Sequence, residues 1–224
     1  MGIPLSNEEI YNRIYAAINA RKLLPGVKLS EEKLSALFHV GRARIREVLF
    51  RLSQEHIIDL LPNRGAFVAT PSVKDCEEVF AVRKTLEHAI VHHLACRHAD
   101  TVRDSLREHL VEEEKARARG DRMELAQLTG HFHVLLAELT DNRIYAESLR
   151  RLVALTGLII SVLSSESSES CPDHEHREIV AAINASNPVL AQELMARHLE
   201  HVQKSLAGKT DEPKEIDLRA VLGL

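Results

Sequence analysis

The chain has 224 residues, of which 45% are apolar, so it can bury one large core or two smaller ones, and wholesale disorder is excluded. The net charge of −4 is unevenly distributed: residues 1–70 hold ten basic and seven acidic residues, and the rest of the chain holds 19 and 26. A basic head on an acidic body is typical of a DNA-binding module joined to a module that does not touch DNA.

The cysteines and the apolar runs indicate the cellular compartment of the protein. Cys76, Cys96 and Cys171 form no CxxC pair, which indicates a reduced protein and excludes a disulfide framework or a zinc ribbon. The longest apolar run, from Leu152 to Leu163, is too short to cross a membrane. We therefore expect a cytoplasmic protein with no membrane partner.

Three short helices are predicted at the N-terminus. The first spans about residues 7–22, where apolar side chains recur every three or four positions. A second short helix follows Ser30, a good N-cap residue. A third runs from Arg42 to Gln54, after a tight turn at residues 39–41. Two helices joined by a tight turn are the arrangement that places the second helix in the major groove of DNA.

The periodicity changes after the third helix. Residues 57–61 and 66–69 have strand character, and the segment PNRG at 62–65 has the composition of a turn. We predict a two-stranded hairpin here. Together with the three helices, the hairpin makes residues 1–71 a winged helix-turn-helix domain.

From residue 72 onward only helical patterns occur, so we expect a mainly α protein. Breaks rich in Gly, Pro, Asn and Asp separate six predicted helices, near residues 73–98, 101–119, 121–139, 142–166, 172–186 and 188–207. Helices of these lengths are typical of an antiparallel bundle. The predicted six-helix bundle spans residues 72–207, and a mobile tail is expected over residues 208–224.

The third helix begins with three arginines, in the sequence GRARIR from residue 41. Arg42 and Arg46 are four residues apart and share a face, whereas Arg44 points elsewhere on the first turn. Arginine recognises guanine O6 and N7 as a fork and also binds phosphate. We expect this helix to contact DNA; the alternative is a merely solvated basic face.

Three motifs in the N-terminal part are similar to those of a known family: PGVKLSE at 25–31, RARIREVL at 42–49 and PNRGAFV at 62–68. They resemble the GntR family of bacterial regulators, and the similarity covers about residues 10–70. The resemblance implies that the start of the recognition helix and the tip of the wing contact operator DNA. Carried over by position, it implicates Arg42, Arg44, Arg46, Arg64 and Gly65.

The recognition turn departs from the family pattern, which has Ser, Thr and Pro where this chain has Gly41, Ala43 and Arg44. Two hydroxyl groups are lost and one basic side chain is gained. The binding mode implied by the resemblance is retained, but an operator sequence does not transfer.

The C-terminal part resembles a ligand-sensing domain. FAVRKTLE at 80–87, HFH at 131–133 and HREIVAAI at 176–183 are similar to motifs of the FCD (FadR/VanR-type) subfamily, over residues 76–207. Six predicted helices rather than seven favour the VanR-type subgroup. The resemblance implies a domain that binds a small carboxylate effector.

The same resemblance implies a divalent metal, with zinc or nickel expected, held by one Asp and three His beside the effector. The three histidines carry over to His133, His176 and His198, but the Asp position is Thr129. A hydroxyl is a poor ligand, so we expect weakened metal binding, with water or the effector near Thr129. Arg83 is a second candidate effector contact, and a structural salt bridge is an equal alternative for it.

Several side chains are possible substitutes for the missing Asp. The candidates are Glu87, His88, His92 and His174, which the sequence does not rank. His131 is two residues from His133 and lies on roughly the opposite face, so it is not expected to ligate the metal.

The sequence therefore predicts a ligand-responsive bacterial transcription regulator that is not an enzyme. Because one winged head recognises only a half-site, we expect a homodimer on an inverted-repeat operator. A metallohydrolase is an alternative, since three His with an open position also describe catalytic zinc, but HExxH, phosphate-loop and nucleophile-elbow motifs are lacking. A third interpretation is a DNA-binding dimer with a vestigial, metal-free sensor domain.

Overall fold

The computed structural model describes residues 5–20, 22–97, 100–163, 172–206 and 222. By its contacts the chain divides into two compact units. The first comprises Met1–Ser72, Gly157–Leu163 and Lys209–Leu224, and the second comprises Val73–Thr156 and Ser164–Gly208. The predicted domain limits stay predictions, and the tail predicted over 208–224 lies outside the described residues apart from residue 222.

The first unit begins with three helices: α1 (Asn7–Asn19), α2 (Glu31–Phe38) and α3 (Arg42–Gln54). Ser6 caps α1 through a reciprocal capping box with Glu9, which satisfies two backbone donors at the helix start. The predicted apolar stripe of α3, from Ile45 to Leu52, is buried. This burial leaves the opposite face of α3 open to solvent.

The sheet of the first unit has three strands: β1 (Lys28–Leu29), β2 (Ile58–Leu61) and β3 (Gly65–Val68), in the order β1-β3-β2 and antiparallel throughout. The sequence predicts only the β2–β3 hairpin, so β1 is an addition. A strand of two residues shows no alternation of polar and apolar side chains, and its pairing of Lys28 with Phe67 is non-local.

Six further helices follow in the chain, all close to their predicted limits. They are α4 (Val73–Cys96), α5 (Asp100–Arg119), α6 (Arg122–Glu138), α7 (Arg143–Leu163), α8 (Asp173–Asn184) and α9 (Pro188–Lys204). Within the second unit, α4 packs against α6, α8 and α9, and α5 packs against α6 and α8. Residues on the inner faces of α4, α5, α6, α8 and α9 are thereby brought together. None of the helices within the described ranges combines the length and apolar character that a bilayer crossing needs.

Candidate metal centre and nucleic-acid interface

Three buried histidines from three helices converge inside the second unit: His133 on α6, His176 on α8 and His198 on α9. One ring nitrogen of each lies within 4.8 Å of those of the other two. The Nε2 atoms of His133 and His198 are 3.3 Å apart. The structure thus brings together the three residues that the sequence predicts as metal ligands.

A buried glutamate contacts the Nδ1 atom of each of these imidazoles. The pairs are His133 with Glu87, His176 with Glu113 at 2.9 Å, and His198 with Glu175 at 2.8 Å. A carboxylate that accepts a hydrogen bond from Nδ1–H fixes the tautomer and the orientation of the ring. Nε2 is then the nitrogen that each ring would offer to a metal.

The ionisation states of the first pair suit metal binding. Burial acts to raise the pKa of Glu87, but the Arg83 guanidinium and His133 outweigh burial and hold this pKa at about 2. Burial lowers the pKa of His133 to about 3, although Glu87 acts in the opposite direction. Near neutral pH the carboxylate is therefore anionic and the imidazole neutral, which is the protonation state that ligates metals.

The other two carboxylates are also anionic. Burial acts to raise the pKa of Glu113 and of Glu175, but each accepts hydrogen bonds from two histidines, which hold both pKa values at about 2. The second histidine on Glu113 is the buried His109, and on Glu175 it is the half-exposed His201. Burial also lowers the pKa of His176.

Arg83 lies beside this cluster and is almost fully buried. Its Nε donates to Glu87 at 2.7 Å, and its Nη1 donates to the hydroxyl of Thr156 at 3.2 Å. Its Nη2 is buried and finds no hydrogen-bond partner among the residues that the structure describes. The structural salt bridge considered for Arg83 is thus present, and one donor of the guanidinium remains to be satisfied.

Thr129 stands four residues before His133 and is half-buried. Its hydroxyl donates to the carbonyl of Ala126 in its own helix, at 3.2 Å. Of the suggested substitutes for the missing Asp, Glu87 contacts the cluster from outside, through His133. His88, His92 and His174 do not join the group of converging ligand atoms found within the described ranges.

Glu113, Glu175, His109 and His201 are functional candidates that the sequence analysis missed. A signal for two of them was present in α5. The buried positions of this helix step by four and three, at Val102, Leu106, His109, Glu113 and Ala116. A histidine and a glutamate on an otherwise apolar stripe indicate a buried polar contact, because unpaired charges are seldom buried.

The exposed face of α3 presents Arg42 and Arg46. Arg46 Nε donates to Glu31 at 2.7 Å, and the guanidinium of Arg42 lies 3.6 Å from the carboxylate of Glu32. Both arginine side chains remain more than half exposed in these pairs, at 68% and 60%. They are therefore accessible to a DNA duplex laid along α3.

Arg44 is engaged within the first unit. Its Nε donates to the side chain of Asn7 at 2.9 Å, and its Nη2 donates to the carbonyl of Leu5 at 2.5 Å. Asn7 in turn donates to Glu47 at 2.8 Å. These contacts hold the start of α1 against α3, and a role of Arg44 in DNA binding stays a prediction.

Arg64 lies in the wing turn between β2 and β3, and Gly65 is the first residue of β3. Gly65 has a φ of +99°, a backbone conformation that favours glycine. The guanidinium of Arg64 and the ammonium of Lys28 lie 5.6 and 5.8 Å from the ring centre of Phe67. Lys28 was missed by the sequence analysis, because only the pairing of β1 with β3 brings it to the wing.

The winged helix-turn-helix fold with exposed arginines on α3 defines the class of this protein: it is a DNA-binding transcriptional regulator. Residues 6–68 match the family described as bacterial regulatory proteins, gntR family, and residues 78–201 match the FCD domain family. The chain belongs to the GntR family of regulators, in the group with an FCD domain. The expected family and fold class are thereby confirmed.

Relatives of known name cover most of the chain. It is 24% identical over 203 residues to the HTH-type transcriptional repressor RspR of Escherichia coli strain K12. The aligned region covers 89% of this chain and 88% of RspR. The chain is 26% identical over 211 residues to the HTH-type transcriptional regulator YdhC of Bacillus subtilis strain 168, which covers 92% and 93%.

Solved structures show the same fold. A GntR transcriptional regulator from Rhodococcus sp. RHA1 has a TM-score of 0.76 and 24% identity, covering 89% of this chain and 96% of that one. McbR/YncC of E. coli has a TM-score of 0.75 and 18% identity, covering 88% and 94%. At these identities the likeness concerns the fold alone.

Proposed function

We propose that the helical domain of this regulator senses a small carboxylate through a divalent metal, zinc or nickel, held by His133, His176 and His198. The separation of His133 Nε2 and His198 Nε2, 3.3 Å, is the observation on which the proposal rests. Zinc–nitrogen bonds of 2.0–2.1 Å at tetrahedral angles separate two nitrogens by about 3.3 Å. With both Nδ1 protons directed to glutamates, two Nε2 lone pairs face each other, and a shared cation relieves their repulsion.

The charge around the cluster supports a divalent ion. Among the described residues, three buried carboxylates contact the histidine cluster, those of Glu87, Glu113 and Glu175, and one buried guanidinium, that of Arg83, pairs with Glu87. Apart from the imidazoles, these groups leave two negative charges in excess, which a divalent cation would balance. The negative charge that an Asp would bring in place of Thr129 is thus supplied by carboxylates that contact the imidazoles rather than the metal. Such carboxylates also raise the basicity of ligating imidazoles.

The effector proposal rests on Arg83. Its buried Nη2 has no partner among the described residues, and an unsatisfied buried donor is costly. A carboxylate is the group that best satisfies a guanidinium. Arg83 and His133 contact the same carboxyl group, that of Glu87, so a ligand on Nη2 would lie beside the metal ligands. When bound, the metal would supply a second, electrophilic contact for the ligand. We also propose that Thr129 lies beside the bound ligand.

At the DNA, we propose that Arg42, Arg46, Arg64 and Gly65 contact the operator. A homodimer would place two heads on an inverted repeat. Light scattering at micromolar concentration should give about twice the chain mass of 25.1 kDa. A monomer that binds a palindromic site tightly would contradict this part of the proposal.

The deciding experiment combines metal analysis with operator binding. Purified protein is stripped with a chelator, titrated with zinc or nickel and screened by thermal shift against small carboxylates. We expect metal to stabilise the wild type and a carboxylate to stabilise the loaded protein further. His176→Ala should lose both effects and still bind DNA. A wild type that binds no metal but responds to an acid would favour a metal-free receptor, and one that responds to neither would favour a vestigial domain.

A further inference from the structure

On the exposed face of α3, Arg46 is paired with a glutamate of the preceding helix. Arg46 is hydrogen-bonded through Nε to Glu31 at 2.7 Å, and Glu31 is the first residue of α2. We propose that Glu31 is a positioning residue for DNA recognition, which holds the Arg46 guanidinium ready to bind one guanine in each half-site. This inference rests on the proposed contact between Arg46 and DNA.

The geometry of the pair leaves the recognition edge of Arg46 available. Glu31 occupies Nε, so the two terminal nitrogens can donate together to guanine O6 and N7. An arginine without such a partner must be immobilised when it binds, which costs about two- to tenfold in affinity. Glu31 imposes much of that order before DNA arrives.

Stability does not explain the pair. The side chain of Arg46 is 68% exposed and that of Glu31 is 39% exposed, and ion pairs at such exposure contribute little to folding. A carboxylate at a DNA-binding face also repels phosphate. Glu31 should therefore weaken binding to random DNA while it favours the correct site, which makes it a determinant of specificity.

The neighbouring pair provides a matched control. Glu32 follows Glu31 in α2 and carries the same charge, but its carboxylate lies 3.6 Å from Arg42 and forms no hydrogen bond with it. Removal of either carboxylate reduces phosphate repulsion by a similar amount. Only removal of Glu31 releases a hydrogen-bonded guanidinium.

The experiment uses full-length protein and a 30-base-pair duplex that the wild type selects from a random library. Each guanine is replaced singly by 7-deazaguanine, which lacks the N7 acceptor, and a shuffled duplex reports non-specific binding. For the wild type, we expect one guanine in each half-site to cost about tenfold when replaced. Arg46→Ala should abolish that penalty. If it does not, the proposed role of Arg46 itself fails, separately from that of Glu31.

The variants of the glutamates then test the inference. Glu31→Ala should reduce the 7-deazaguanine penalty from about tenfold to about threefold or less and strengthen binding to the shuffled duplex. Glu32→Ala should strengthen binding to the shuffled duplex but keep the full penalty. Glu31→Gln, which retains an acceptor oxygen without the charge, should restore most of the penalty. Equal penalties in Glu31→Ala and Glu32→Ala would overturn the inference.

Discussion

Glu113 holds His176 with both carboxylate oxygens, which lie 2.9 and 3.0 Å from Nδ1 of the imidazole. The same carboxylate accepts a hydrogen bond from His109 Nε2 at 3.2 Å. Helix α5 is thereby tied to the histidine cluster, although it provides none of the three converging ligand atoms. We therefore expect Glu113 to fix the orientation of the His176 ring.

The first prediction concerns this outer carboxylate. Glu113→Gln should weaken zinc binding by about 10- to 100-fold, because the amide is neutral and a poorer acceptor for Nδ1–H. Competition with a chromophoric chelator measures the affinity. The control is Glu112→Gln, one residue away, where the side chain is exposed and pairs with Lys115 at 2.8 Å. Equal zinc affinities for the two variants would show that Glu113 does not act on the metal site.

Much of the architecture follows from local sequence signals. The apolar stripe of α3 and the turn chemistry of the wing predict the head, because each depends on residues close together in the chain. The six later helices lie close to their predicted limits for the same reason. Strand β1 is different, because its two residues are a strand only through non-local pairing with Ala66 and Phe67.

The candidate site is likewise only partly predictable from the sequence. The resemblance to the FCD family locates His133, His176 and His198 by motif, whereas Glu113 belongs to no motif and lies in a run of three glutamates at 112–114. The packing of α5 against α6 and α8 buries one of these three, the one on the apolar stripe of the helix. Arg44 shows the opposite case, since its place in the recognition motif predicts a DNA contact, which stays a prediction, whereas its contact with Asn7 of α1 is non-local and was not predicted.

The second prediction concerns the pH dependence of metal-free protein. The pKa of His133 is about 3 in the folded state and 6.5 in a free side chain, so between these values the unfolded chain binds more protons. Stability should therefore fall as the pH drops below about 6.5, by at most about 1.4 kcal/mol per pH unit for this site. Glu113 adds to the loss from about pH 4.5 down to its folded pKa of about 2.

Urea midpoints of chelator-treated protein from pH 5 to pH 7.5 measure this dependence. His133→Gln should flatten the profile, and the control His93→Gln, at an exposed position of α4, should leave it unchanged. A midpoint that rises on acidification would contradict the neutral, buried state assigned to His133.

The third prediction separates the arginines of α3. Arg42→Ala should weaken specific DNA binding by about 5- to 150-fold if Arg42 contacts a base, with little effect on folding, because its side chain is 60% exposed. Arg44→Ala should instead destabilise the head, since it removes the hydrogen bonds to Asn7 and Leu5. Operator titrations at several salt concentrations and urea denaturation measure the two effects. An Arg44 variant of unchanged stability that loses DNA binding would reverse this assignment.

The fourth prediction returns to the residue that departs from the family pattern. Thr129 lies one helical turn before His133, so an aspartate there shares a face with that ligand. Thr129→Asp should tighten zinc binding by at least about tenfold, because an anionic oxygen ligand adds to three neutral imidazoles. Isothermal titration of metal-free protein gives the affinities.

Thr129→Asn is the matched variant for this prediction, because it offers an oxygen of the same reach without the charge. Zinc affinity should increase in the order Thr, Asn, Asp if position 129 faces the metal. Equal affinities for the Asn and Asp variants would mean that charge is not what the site lacks, since Glu87, Glu113 and Glu175 already provide it from the outer shell. Unchanged or weaker binding by the Asp variant would show that a carboxylate at this position does not ligate the metal, because an added negative charge beside the cluster by itself favours a cation.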